Sequence, residues 1–495
     1  MGGRLNLRHL ANHYRTENNS GLYPSAPQQQ PVESLQPSRP SPSIPAAPTQ
    51  PPRQSVQHQQ PSDSTTSHTP SSSLQPQPTT EPVLIGGMIL DINVTPTTLD
   101  PLVIEPMEES DNTIPGNITY ASGGQARNVA DCMSKLTAKP FLISVVGHDM
   151  AGNFLFDNWK STGLSDQGIM RDQNIASAAI CNILDGQGEL TAAVASVEPI
   201  EKYLTPDWIE NFKSKISSAP ILMVDANLSA LSLEASCQMA AESDTPVWFM
   251  PVSVTKSRKI APVVHNVSFV SATEDELIAM ANAISGGEAY APARRVSSRP
   301  VESFFEMLKP AIWLLLDKGV KVIVITIGPD GVFLCSKSKS DLEQRLDIKG
   351  NQPPFSKELC EAVDRTCPTG RVSGSSRYTL FSSDFYAVHI PALSVLAVSV
   401  DGAAECLVGG TIAALCAGLD VLQSVAVGTA TAKFSLEIES NVPREFSLDK
   451  VTVGAGYLYS RMSTSIGPLT NQTQDHAARP TQNKRNNLLL YQSNK

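Results

Sequence analysis

Seven short, β-rich apolar runs recur along the middle of this chain, and they constrain its fold more than any other feature. They read PVLIGGMILDI, PFLISVVG, AAICNIL, ILMVDAN, PVWFMPVS, VSFVSAT and VKVIVITIG. Runs of this length, bounded by Gly, Pro and Asp, have the pattern of strands covered on both faces. Between many of them the apolar spacing changes to that of helices. GGQARNVADCMSKLTA places Val129, Cys132, Met133 and Leu136 on one face. TEDELIAMANAI and PVESFFEMLKPAIWLLLDKG behave likewise, with a kink expected at Pro310. Strand and helix alternating in this way predict an α/β fold, a largely parallel sheet with helices on both sides. Residues 92–122 and 178–198 interrupt the alternation with strand or loop patterns, which suits a small accessory sheet. The polar stretch from Ser336 to Asp384, with GNQPP and TGRVSGSS, reads as a surface excursion.

Composition limits how much of the 495 residues belongs to that fold. From Tyr23 to Thr80 the chain is dominated by Pro, Gln, Ser and Thr, and such a segment cannot bury enough surface to offset its ordering entropy. Residues 1–80 therefore read as a disordered extension, 463–495 as a polar disordered tail, and 81–462 as one large domain. A net charge of −10 and a pI near 5.4 argue against nucleic acid as a partner, since no basic stripe exists to neutralise phosphates. No window reaches the ~18 uncharged apolar residues of a membrane span. The N-terminus lacks the apolar core of a secretory signal. Eight scattered cysteines without a CxxC pair fit a reducing compartment rather than a disulfide framework or a zinc site. The expectation is a soluble intracellular protein, cytoplasmic by default.

In open α/β sheets, ligands bind beyond the carboxyl ends of the strands. Asp91, Asp149, Asp225 with Asn227, Glu276, and Gly328 with Gly331 all fall at such ends, although turns use the same residue types. In SGGQARN, Gly123 and Gly124 let backbone approach a ligand, and Asn128 on the following helical turn offers a donor and an acceptor. An ordinary loop-to-helix junction would look the same. In ITIGPDG, Thr326 can donate to a phosphate while Gly328 and Gly331 keep the loop tight; a plain turn before VFLCS is the alternative. DGAAECLVGGTIAALCAGL reads as a helix from Glu405 that Gly418 ends. The backbone N–H groups of 402–405 would then form an anion site, with Glu405 as a general base beside it. Alternatively Asp401 is an N-cap and Glu405 a first-turn acid of a buried structural helix.

Together these segments resemble the pfkB (ribokinase-like) family of carbohydrate and nucleoside kinases over most of 81–455. Within the family, GGMILDI, GGQARNVADCMSKL, KPFLISVVGHDMAGN, SAPILMVDANLS, DELIAMANA and CLVGGT are most like the branch that acts on pseudouridine. The resemblance implies a ribokinase-like three-layer α/β/α fold with a mostly parallel sheet and a small accessory β lid. It implies ATP- and Mg²⁺-dependent transfer of a phosphoryl group to the 5′-hydroxyl of a nucleoside or sugar, pseudouridine first among them, by a chain that can form a homodimer. Carried over by position, Asp91, Gly123, Gly124 and Asn128 would bind the sugar, and Asp149 and Gly152 would belong to a G-x-D-x-x-G motif. Thr326, Gly328 and Gly331 would line the ATP site, and Glu276 would serve the metal. Gly402, Ala403 and Ala404 would form the anion hole and Glu405 would be the catalytic base. The chain also departs from the family pattern. The turn is Gly402-Ala403-Ala404-Glu405 in place of Gly-Ala-Gly-Asp, which adds a Cβ at 404 and a methylene at 405. Asp401 adds a negative charge, Thr273 stands where the metal-linked motif has Asn, and Met250 stands where an acid is usual before Pro251. A second reading is therefore a pseudokinase that keeps the sugar pocket and acts as a ligand-binding or interaction protein.

Overall fold

The first apolar run divides in two. Val83–Ile85 (β1) enters a large sheet, whereas Ile89–Pro96 (β2) leaves it for a second, smaller one. Gly86 and Gly87 make the passage, because the buried Asp225 carboxylate presses on the backbone there; a Cβ at Gly86 would lie 2.1 Å from its Oδ2. The computed structural model describes residues 81–96, 115–136, 138–185, 190–296, 298–346, 354–368 and 385–462.

The remaining strands are β3 (Gly116–Gly123), β4 (Phe141–Gly147), β5 (Ile169–Asp172), β6 (Ala179–Leu184), β7 (Leu190–Ser196), β8 (Leu222–Asp225), β9 (Val247–Met250), β10 (Phe269–Thr273), β11 (Val322–Thr326), β12 (Val332–Ser336) and β13 (Tyr386–Ile390). The large sheet has the order β13-β12-β11-β10-β9-β8-β1-β4-β5 and the small one β3-β2-β6-β7. Every neighbouring pair of the large sheet from β11 to β5 is parallel, and only β12 and β13 run against their neighbours. The small sheet takes its strands largely from the stretches 92–122 and 178–198, where the expectation placed an accessory sheet. β6 belongs to it, so AAICNIL is half-buried and is not a strand covered on both faces.

Among the described residues nine longer helices flank the large sheet: α1 (Gln125–Lys135), α2 (Met150–Ser161), α3 (Ala230–Ala241), α4 (Glu274–Ser285), α5 (Val301–Asp317), α6 (Pro354–Thr366), α7 (Ala403–Cys416), α8 (Val421–Leu436) and α9 (Leu448–Arg461). Two apolar cores result. One packs Val83 and Ile85 with Leu233, Leu277 and Phe305 from α3, α4 and α5. The other packs Leu84 with Val129, Leu155, Leu359, Leu407, Val425 and Leu458 from α1, α2, α6, α7, α8 and α9. Adjacent β1 residues face opposite cores, as the strand period requires. This is the expected three-layer α/β/α arrangement, with its small sheet as a lid.

Two local expectations change. α5 runs on through Pro310 as one helix; the ring is exposed while Leu308, Ala311 and Ile312 beside it are buried and hold the helix to the core. The stretch from Ser336 to Asp384 is more than a surface excursion. Its α6 buries Leu359 and Val363, and Cys367 just beyond is buried too, because the 13-residue helix has an apolar stripe of its own. Both proposed tails, 1–80 and 463–495, lie outside the described residues. All eight cysteines are free. Among the described residues no helix is long and apolar enough to cross a membrane.

Candidate active site

The turn at 402–405 takes its shape from two glycine-dependent contacts. Gly402 adopts φ 76°, the left-handed region, and caps α7. A Cβ there would lie 1.7 Å from the carbonyl oxygen of Asn441. Ala403 and Ala404 are already helical, so the Ala404 side chain meets no positive-φ penalty; among the described residues the non-glycine positive-φ positions are Asp244 and Val252. The helix starts two residues earlier than at Glu405, and Gly418, with φ 90°, follows its end as expected. Ala403, Ala404 and Glu405 fill the first turn, where N–H groups have no intrahelical carbonyl to meet. Cys406 closes the first helical bond, to the Gly402 carbonyl at 2.8 Å.

Glu405 is half-buried at this helix start. Burial pushes its carboxyl up to about 7; its own N–H opposes the shift, while Asp401, Asp91 and Glu276 add to it by like charge. Those interactions gather Asp91, Glu276, Asp401 and Glu405 around one point. The Gly409-Gly410 pair has a different purpose. A Cβ at Gly409 would lie 2.8 Å from the Cys132 Cβ, and one at Gly410 would lie 2.7 Å from the Thr431 Oγ1. These glycines let α7 pack closely on α1 and α8.

The side of the site that carries Asp91 and Asn128 is built by the lid and α1. Asp91 points from β2 onto Gly123 of β3, where a Cβ would lie 2.1 Å from the Asp91 Oδ2. Gly124, with φ 95°, caps α1 against the carbonyl of Gly87. Asn128 follows one turn later and is buried. Its Oδ1 accepts from the Arg127 guanidinium at 3.1 Å, which fixes the amide and turns its N–H₂ end outward from that bond. Burial raises the Asp91 carboxyl to about 6, opposed by a hydrogen bond from Asn441 and by the charge of Arg127, and reinforced by Asp401.

On the other side, β10 and β11 pair Thr273 with Thr326, so both stand at one edge of the sheet. Thr326 Oγ1 donates to the Ala272 carbonyl at 3.4 Å. Gly328–Asp330 forms a single 3-10 turn, and Gly331 (φ 101°) brings the chain against β13, where a Cβ would lie 2.1 Å from the Ile390 carbonyl. The loop is thus a tight turn into β12 that leaves its backbone at the sheet edge. Arg295 pairs with Asp330 at 2.7 Å, and His389 Nε2 meets the Asp330 carbonyl at 2.7 Å. Thr273 caps α4, and Glu276 closes the capping box by accepting the Thr273 N–H at 2.9 Å on Oε2. Burial raises the Glu276 carboxyl, against hydrogen bonds from Thr273.

Two of the strand-end carboxylates are clamps between elements. Asp149 caps α2, accepting from the Gly152 N–H at 2.7 Å, the Ser177 hydroxyl at 2.6 Å and the Ser177 N–H at 2.7 Å. Burial pushes its carboxyl up, but these bonds outweigh it and hold it below the usual range. Gly152 is needed because a Cβ would lie 2.2 Å from the Gly147 carbonyl. Asp225 accepts from the N–H groups of Gly87 (2.9 Å), Ala126 (3.3 Å) and Asn227 (2.9 Å), joining β8, the β1–β2 passage and the start of α1. Asn227 in turn accepts from Lys256 at 2.6 Å. Two residues of the site have no sequence signal of their own. Arg127 looks like a surface cation of an amphipathic helix but is buried, and Asn441 lies in a polar loop beyond α8.

The large parallel sheet, the lid and the helix start facing a carboxylate define the class of this molecule, an α/β kinase of the ribokinase-like fold. The same fold occurs in the structure of Arabidopsis thaliana ribokinase complexed with ribose and ATP, with TM-score 0.55 and 14% identity over 76% of this chain and 99% of that one. It also occurs in ribokinase from Cryptococcus neoformans in complex with ADP, with TM-score 0.51 and 16% identity over 75% and 99%. Residues 83–349 match the pfkB family carbohydrate kinase, and the chain belongs to that family. The pseudouridine kinase of Arabidopsis thaliana is 45% identical over 383 residues, which are 77% of this chain and 97% of that protein.

Proposed function

We infer that this kinase transfers the γ-phosphoryl group of ATP to the 5′-hydroxyl of a nucleoside, pseudouridine. The observation that carries the reading is Glu405. It is a carboxylate with its proton affinity raised to about 7, set in the first turn of a helix whose N–H groups are open to an anion, and within electrostatic reach of Asp91. Asp91 and Asn128 would hold the sugar hydroxyls, with Gly123 and Gly124 bringing backbone against the ring. Thr326, Gly328 and Gly331 would line the nucleotide. The N–H groups of Ala403 and Ala404, with Gly402 shaping the turn, would receive the transferred phosphate. Glu405 takes the proton of the 5′-hydroxyl as its oxygen bonds to phosphorus and the bond to the ADP oxygen breaks.

A carboxyl titrating near 7 is well matched to a base at neutral pH. The Glu405 carboxylate interacts with its own backbone N–H. Mg²⁺ would neutralise charge on the phosphates. It binds largely through phosphate oxygens, water and one or two carboxylates, and Glu276, engaged through Oε2, suits a single supporting role. Two copies of the chain would pair through the lid. Its register puts Ile118, Tyr120, Ile183 and Val194 on one face, and all four are exposed.

Coupled ATP turnover with pseudouridine, run beside calorimetry of nucleoside binding, tests the reading. Turnover that needs both ATP and pseudouridine is expected. Tight nucleoside binding without turnover would defeat the kinase assignment and favour the pseudokinase reading.

A further inference from the structure

The loop after α8 returns to the active site and places Asn441 between the lid and the catalytic turn. The residue is 9% exposed. Its side-chain amide donates to Asp91 Oδ2 at 2.8 Å and to the Ser122 carbonyl at 3.2 Å. Its own carbonyl oxygen packs on Gly402 so closely that a Cβ there would lie 1.7 Å away, and the Cys406 thiol donates to the same oxygen at 3.8 Å. One residue thus touches both the acceptor carboxylate and the turn that begins α7.

We propose that Asn441 is a positioning residue for phosphoryl transfer, holding the Asp91 carboxylate oriented and ionised at a fixed place relative to the catalytic turn. The proposal rests on the reading of Asp91 as the acceptor-binding carboxylate. Asn441 occupies Oδ2, so Oδ1 is the oxygen left to accept a sugar hydroxyl. Gly123, with no Cβ, leaves the room in which the carboxylate sits; a Cβ there would lie 2.1 Å from Oδ2. The charged groups facing Asp91 are Arg127 from α1, and Asp401 and Glu405 at the start of α7. Against burial and two like charges, the amide of Asn441 and the guanidinium of Arg127 favour the ionised form. Without Asn441 the carboxyl would take up its proton at a higher pH, and a protonated Asp91 accepts hydroxyls poorly. Because the backbone of Asn441 also seats Gly402, the spacing between acceptor and phosphate depends on the same loop.

The test compares the parent with Asn441→Leu, Asn441→Asp and Asp91→Asn. The kcat/KM for pseudouridine is measured from pH 5 to 9, together with the KM for ATP. For Asn441→Leu, kcat/KM at pH 7 should fall about 10- to 100-fold, the scale of a lost hydrogen bond to a charged group. The loss should sit mainly in the nucleoside KM, shrink as pH rises, and leave the ATP KM within about twofold. Asn441→Asp, nearly isosteric, should shift the acidic limb further, because two carboxylates then share the site. Parent-like kinetics in Asn441→Leu would overturn the proposal. An equal loss at every pH, or a parallel rise in the ATP KM, would do the same. Should Asn441→Leu fail to fold, ¹³C NMR titration of the Asp91 carboxyl in Asn441→Asp decides: an upward shift supports the proposal and an unchanged titration overturns it. Asp91→Asn separates the two layers. If it binds pseudouridine as the parent does, the acceptor-site reading fails and the proposal with it. If it loses binding while both Asn441 variants behave as the parent, only the proposal fails.

Discussion

Glu405 stands in the first turn of α7 with Asp401, Asp91 and Glu276 around it, and burial lifts its carboxyl from 4.5 to about 7. The same shift acts on catalysis and on stability. The base must be ionised to accept a proton, so kcat/KM should rise as pH increases through about 7 and be lost below it. For stability the sign is reversed. A carboxyl with a raised value binds its proton more tightly in the folded chain, so the folded state is favoured at low pH and loses that advantage as pH rises through about 7. Glu405→Gln should therefore lower kcat by about 10²- to 10⁴-fold while nucleoside binding persists. It should also raise the thermal midpoint at pH 8 by ~1–3 °C, with the gain fading toward pH 5. Stopped assays and thermal scans across pH check both halves. A variant that keeps parent turnover would remove Glu405 from the chemistry.

At the scale of elements, the site depends on how closely α7 lies on α1. Gly409 faces Cys132 and the Val129 carbonyl, and the Cys132 thiol reaches the Cys406 carbonyl at 3.7 Å. α1 carries Asn128 and α7 carries Glu405, so this contact sets the distance between those two residues. Gly409→Val should cost about 1–3 kcal/mol through overpacking, read from denaturant unfolding. Whatever folds should show a raised nucleoside KM, since the two helix starts can no longer approach as closely. Unchanged stability would mean that the helices separate freely and that Gly409 has another purpose. In the sequence Gly409 and Gly410 read as part of the helix that follows the 402–405 turn, and the pattern gives no purpose for them. A glycine in a helix looks the same in sequence whether it serves backbone conformation or close packing. The difference lies in what stands opposite, here Cys132 and Thr431.

For the whole molecule, two predictions concern surfaces. The lid face bearing Ile118, Tyr120, Ile183 and Val194 is the place where a second copy would bind. Light scattering should report a dimer for the parent and a monomer for the double variant Ile118→Arg with Val194→Arg; a dimer that survives both charges would rule out the lid as the interface. Removing residues 1–78, whose Pro/Gln/Ser composition offers few apolar groups for a core, should leave the thermal midpoint within ~1 °C and turnover intact. A large drop in the midpoint would show that the extension packs on the domain.

The sequence by itself determined the alternation of buried strands and amphipathic helices, and with it the parallel sheet. Apolar periodicity is a local property, set by which faces a segment must bury. Its motifs also marked Asp91, Gly123, Gly124, Asn128, Gly402 and Glu405, which the fold gathers at the strand ends. The tertiary structure alone decided that Asp149 and Asp225 are clamps, since turn-forming and ligand-binding carboxylates share one local pattern. It alone placed Ala404 in helical backbone, because the α7 start lies two residues earlier than the apolar pattern suggests. It alone brought Asn441 to Asp91, 350 residues away in the chain. A hydrogen bond across that separation leaves no trace in spacing or composition, because the loop that makes it is positioned by α8 packing on α7 and not by its own sequence.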